Sequence, residues 1–240
     1  MKVLVGTCGF PKARRVIYET LDAVELQGTF YNMPRREKMA ELRREAPEFH
    51  ITAKVFQGIT HPPESPTFKR TRGFKPGEGH GLLKPTRENL QLWEEFKKAV
   101  TPLRPEVLVF QTPPGLKPSP HIYEFFSSIA GSWRLAWEPR GETHRDPDLM
   151  RGVASLGIMI VVDPLKRDPP PADAYYFRLH GLGKGEVNYR YGYTEEDLRR
   201  IAVAIRRLQV SVIYIMFNNV YMYDDAVALK QIMSRVQPDS

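Results

Sequence analysis

Eight short apolar segments are spaced along the chain, near residues 3–8, 23–30, 49–55, 106–112, 133–138, 157–163, 174–180 and 212–218, and helical patterns separate most of them. Strand and helix alternating through eight strands restrict the chain to an α/β class, and a single (β/α)8 barrel of the TIM type fits better than an open sheet. A length of 240 residues suits one such domain over 1–240. Helices are expected over 34–46, 85–103, 119–130, 194–208 and 224–236. Pro34 stands in a first turn, and Leu90, Trp93, Phe96 and Val100 recur at helical spacing. Thr194-Glu195-Glu196-Asp197 has the form of a capping box.

Two βα units look irregular. The segment after the first strand shrinks to 11–21, and 164–173, with Pro169, Pro170 and Pro171, should hold no helix. A long insertion, 56–84, follows the third strand and carries Lys69, Arg70, Arg72, Lys75 and Lys84 against Glu64 and Glu78. As a βα loop it belongs to the face where such barrels build their sites. It reads either as a lid that grips an anion or as a solvated loop.

The strands alternate in an informative way. In Tyr175-Tyr176-Phe177-Arg178-Leu179-His180, one face is Tyr175, Phe177 and Leu179 and the other is Tyr176, Arg178 and His180. Val24 to Phe30, Ile51 to Val55 and Leu135 to Glu138 repeat the pattern, so one set of faces carries Glu25, Lys54, Glu138, Arg178 and His180. Charges gathered inside a fold cost several kcal/mol each unless paired, so they mark either a site or an internal ion-pair network.

Composition narrows the partners. No apolar run approaches the roughly 18 residues of a membrane span, and the start at Lys2-Val3-Leu4-Val5 lacks a signal-peptide layout. A lone Cys8 fits a reducing cytoplasm and a packing role. The net charge of +7 favours an anionic small molecule or nucleic acid, although a solvated basic surface gives the same number. Frequent Pro (21) beside a single Cys hints at a thermophilic source.

Several motifs in order resemble the DUF72 (YecE-like) family. They are Gly6-Thr7-Cys8-Gly9-Phe10, Val24 to Tyr31, Ala53-Lys54-Val55 with Ile59-Thr60-His61, and Phe110-Gln111-Thr112-Pro113-Pro114. Trp137-Glu138-Pro139-Arg140, Tyr176 to Gly181 and Phe217-Asn218-Asn219 complete the set. The resemblance implies a TIM-type barrel and brings no established activity. Two departures stand out: the aromatic stretch usual after the first strand is replaced by the short 11–21 segment, and the usual Ser of the second motif is Gly28.

Strand C-termini carry the chemistry in such barrels. Glu25, Glu138 and His180 are the candidate catalytic groups, with Glu25 and Glu138 able to serve as base and acid. Thr7, Gln27, Lys54, His61, Gln111, Arg140, Arg178, Asn218 and Asn219 are candidate binding residues, with Lys54, Arg140 and Arg178 suited to a phosphate. Glu138, Asp163 and His180 could hold a divalent Mg, Mn or Zn ion, against a purely structural His180. Tyr31, Phe56, Tyr189, Tyr191, Tyr193 and Tyr221 lie in or near rim loops and could stack on a ring or anchor those loops.

Three functions answer this inventory. The first is a hydrolase-type enzyme for a phosphate-bearing substrate, including phosphodiesters of nucleic acid. The second is a metal-free isomerase or lyase of a small anionic metabolite, and the third is a nucleic-acid-binding protein without catalysis. Oligomeric state is not encoded in any of these patterns.

Overall fold

A computed structural model describes residues 1–131 and 133–235. The strands are β1 (Lys2–Cys8), β2 (Ala23–Leu26), β3 (His50–Lys54), β4 (Leu108–Gln111), β5 (Leu135–Glu138), β6 (Met159–Ile160), β7 (Ala174–Leu179) and β8 (Val212–Phe217). They form one eight-stranded sheet in the order β6-β5-β4-β3-β2-β1-β8-β7. Val162, just past β6, makes an isolated parallel bridge to Phe177 of β7. The result is a nearly closed α/β barrel of the TIM type, as the strand count requires.

The helices are α1 (Arg14–Thr20), α2 (Gly28–Tyr31), α3 (Arg36–Glu45), α4 (Gln57–Thr60), α5 (Arg87–Val100), α6 (Pro120–Ile129), α7 (Pro147–Ser155), α8 (Glu195–Arg206) and α9 (Met222–Arg235). Each expected helix is present, and the last expected residue of α9, Val236, lies outside the described residues. Pro164 to Asp173 carries no helix, as its prolines demand.

Strand β2 is shorter than its alternating pattern. It ends at Leu26 because the Thr29 hydroxyl folds back onto the Leu26 carbonyl at 3.2 Å and the Lys54 carbonyl at 2.7 Å, and 28–31 wind into α2. The insertion is also more ordered than a plain loop. It contains α4 and a 3₁₀ turn over Pro66–Arg70.

Two compact units make up the chain, residues 1–25 with 161–240 and residues 26–160. In the first, β1 pairs β8 from Lys2↔Val212 to Thr7↔Phe217, and β7 pairs β8 from Ala174↔Val212 to Leu179↔Phe217. The capping box opens α8: the Thr194 hydroxyl accepts from the Asp197 amide, and the Asp197 carboxylate accepts from the Thr194 amide.

In the second unit, Trp93, Phe96, Phe110, Phe125, Phe126 and Trp137 form an aromatic core of edge and stacked contacts, each ring at most 1% exposed. Burying one such ring stabilises by roughly 2–3 kcal/mol. Buried Arg43 of α3 donates to the carbonyls of Leu103, Ala46, Pro47 and Phe49, satisfying acceptors that the end of α3 would orphan.

Candidate functional site

In the unit of residues 26–160, the ends of β3, β4 and β5 bring a polar cluster together. Lys54 is the last residue of β3, and Gln111 and Glu138 end β4 and β5 in register with each other. Lys54 Nζ donates to Gln111 Oε1 at 2.8 Å and stands 3.9 Å over the Phe30 ring. This cation–π contact offsets part of the desolvation of an ammonium group on a residue only 4% exposed.

Arg140 donates to Glu138 Oε1 through Nε at 3.2 Å and Nη2 at 3.0 Å. Gly141 fixes this corner: it has φ +67°, and a Cβ there would fall 1.9 Å from the Pro114 carbonyl oxygen.

His61 completes the cluster. It follows α4, is buried, and meets Phe30 edge-on at 5.0 Å. Burial, then the charges of Lys54 and Arg140, push its pKa down to about 3, so the imidazole is neutral at physiological pH. The Thr60 hydroxyl lies 2.9 Å from Nδ1; with that hydroxyl donating, the ring proton rests on Nε2.

The returning end of the insertion closes against His61 at Gly81, whose φ is +82° and where a Cβ would fall 2.0 Å from the His61 carbonyl oxygen. Leu82 and Leu83 follow with φ near +55°. Asn89 of α5 holds this strained return by accepting from the Gly81 amide and donating to the carbonyls of Gly81 and Lys84.

The unit of residues 1–25 and 161–240 holds a second group. Arg178 Nη2 meets Glu25 Oε1 at 2.9 Å with both side chains fully buried, and Tyr176 donates to Glu25 Oε2 at 2.7 Å. Cys8 Sγ lies 3.5 Å from the carboxylate and 3.4 Å from the guanidinium. This is the internal ion-pair arrangement raised from the sequence, with Arg178 against Glu25.

Asn218 Nδ2 donates to His180 Nδ1 at 3.1 Å, and Tyr189 packs edge-on against the His180 ring. Thr7 donates to the Gly9 carbonyl, and Asn219 donates to the Tyr191 carbonyl and to Asp225, so both serve loop structure. Asp163 is buried beyond β6. Its Oδ1 accepts from the Leu165 amide, its Oδ2 lies 4.0 Å from Lys166, and burial pushes its pKa up to about 6.

Gln27 lies half-buried at the start of α2. Among the described residues, no three His, Cys, Asp or Glu side chains gather to hold a metal ion. Of the donors considered for a divalent ion, Glu138 carries Arg140 and Asp163 faces Lys166.

Phe30, Thr60 and Asn89 have roles here that no sequence pattern marks. The aromatic pair Phe30-Tyr31 after the β2 pattern is the nearest to a signal for the first, since a ring beside a buried lysine is a standard way to hold the charge. Asn89 had no signal beyond its place in a helix.

Among the described residues no helix is long and apolar enough to cross a membrane. No curated protein matches the chain. Two crystal structures of a DUF72 family protein from Enterococcus faecalis V583 are similar. One has TM-score 0.73 at 15% identity over 99% of this chain and 97% of that one, the other 0.74 at 16% over 97% and 98%. A DUF72 family protein from Thermotoga maritima MSB8 gives TM-score 0.71 at 22% identity over 98% and 100%. The profile of the family described as "Protein of unknown function DUF72" matches residues 14–239. The chain therefore belongs to the DUF72 family.

Proposed function

We propose that this protein is a hydrolase-type enzyme acting on a phosphate-bearing substrate, and that the Lys54 cluster is its site. The observation that carries this reading is the pair of cations, Lys54 and Arg140, acting on one buried and neutral imidazole, His61. A buried lysine and a half-buried arginine beside a neutral donor form a preorganised environment for an oxyanion.

Lys54, oriented by Gln111, and Arg140, held by Glu138, take the non-bridging oxygens of the phosphate. His61 donates one hydrogen bond from Nε2 and keeps its proton, because a neutral imidazole is a poor acid. Glu138 directs a water at phosphorus and takes its proton as the new P–O bond forms and the bond to the leaving oxygen breaks. The leaving oxygen collects its proton from solvent.

The test is turnover of a panel of phosphomonoesters and phosphodiesters by the protein and by Glu138→Gln. Phosphate release that falls at least about 100-fold in the variant while substrate still binds supports the assignment. Equal release by both proteins removes Glu138 from the reaction. Conversion of a sugar phosphate without phosphate release moves the site to the isomerase class.

A further inference from the structure

We propose that the face of the insertion carrying Lys69, Arg70, Arg72 and Lys75 is a docking surface for the phosphodiester backbone of a nucleic acid. All four side chains are exposed, and no acidic residue interrupts them between Glu64 and Glu78. Among the described residues none of the four enters an ion pair, whereas Lys84, at the end of the same insertion, turns to the Glu78 carbonyl.

A solvated loop has no need to be held, but this one is pinned at its centre. Asn32 Nδ2 donates to the Arg70 carbonyl at 3.3 Å, and Asn32 Oδ1 accepts from the Arg72 amide at 2.8 Å, so one amide side chain clamps the backbone on both sides of Thr71. The Thr71 hydroxyl donates to the Tyr31 carbonyl and accepts from Gln57 Nε2 at 2.6 Å. The Arg70 guanidinium lies 3.6 Å over the Tyr31 ring, which fixes the direction of that charge.

Four uncompensated cations held on a fixed backbone are an electrostatic footprint for a polyanion. Anionic lipid would supply the same charge, but a membrane-docking loop needs apolar side chains to insert. Here the aromatic residues of the loop turn inward: Phe74 packs edge-on against Phe56 at 5.0 Å and His80 at 5.2 Å, and tilts against Phe68. The surface uses none of the Lys54, Arg140, His61 or Glu138 side chains, so it stands whether or not that cluster turns over a phosphate ester.

The test is fluorescence anisotropy of labelled single-stranded and duplex DNA between about 50 and 200 mM salt, with anionic phospholipid vesicles as a parallel probe. Four phosphate contacts predict a log–log salt slope of roughly −2.8 on the single strand and roughly −3.6 on the duplex. Lys69→Ser with Lys75→Ser leaves the Asn32 clamp and the Tyr31 contact in place, and should halve the slope. Adding Arg70→Ser and Arg72→Ser should bring it near zero, with the far-ultraviolet circular dichroism unchanged. No binding by the unaltered protein at low salt, an unchanged slope in the double variant, or tighter binding to vesicles than to DNA would overturn the proposal.

Discussion

Arg178 Nη2 and Glu25 Oε1 meet at 2.9 Å, and neither side chain reaches solvent. Tyr176 donates to the other carboxylate oxygen, so each member of the pair helps to compensate the buried charge of the other. Removing one member strands a buried charge, which costs roughly 3–5 kcal/mol, whereas replacing both by apolar groups of similar size can be close to neutral. Glu25→Leu or Arg178→Met alone should therefore lower the denaturant-unfolding free energy by that amount, and the double variant should recover most of it. Additive losses in the double-mutant cycle would show that the two groups are not coupled.

His61 gives a pH signature. Its folded pKa of about 3 lies below the ordinary histidine value, so between about pH 6.5 and 3 the unfolded chain binds a proton that the native state refuses. Stability from this group is complete above about pH 6.5 and is lost as pH falls, with a slope of up to about 1.4 kcal/mol per pH unit. Unfolding free energies measured from pH 7 to 5 should drop less steeply in His61→Gln than in the unaltered protein. Parallel curves would mean that the imidazole titrates normally.

Asp163 works in the opposite sense. Its folded pKa of about 6 lies above the ordinary aspartate value, so its protonated form stabilises the native state at low pH and that contribution is lost as pH rises from about 4 through 6. Asp163→Asn keeps an oxygen for the Leu165 amide and removes the buried charge. The variant should gain stability relative to the unaltered protein through that window and hold a constant advantage above it. A constant difference across the whole range would contradict the burial of the carboxylate.

The half of this architecture that follows from period and spacing was legible in the sequence. Lys54, Gln111 and Glu138 end alternating segments, and parallel register places Gln111 level with Glu138, so their convergence follows from strand chemistry alone. The Glu25–Arg178 pairing did not follow, because the residues lie far apart in sequence and alternation shows which face a charge takes but not its partner. The pattern over 24–30 also continued past the true end of β2, since the Thr29 hydroxyl, which donates to the Lys54 carbonyl and lies 3.2 Å from that of Leu26, leaves no period to read. Helix α7 lies outside the expected helices, although Asp146 caps the Asp148 and Leu149 amides and Pro147 occupies the first turn.

A hydrolase acting at the Lys54 cluster must bind a phosphate there. Calorimetric titration of a simple phosphomonoester into the protein and into Lys54→Met is the most direct measurement, because methionine keeps much of the side-chain length over Phe30 while removing the charge. Saturable binding to the unaltered protein is expected, weakened at least about 10-fold in the variant, consistent with loss of one charge-assisted hydrogen bond. Binding of equal strength in both proteins, or none in either, would contradict a hydrolase site there.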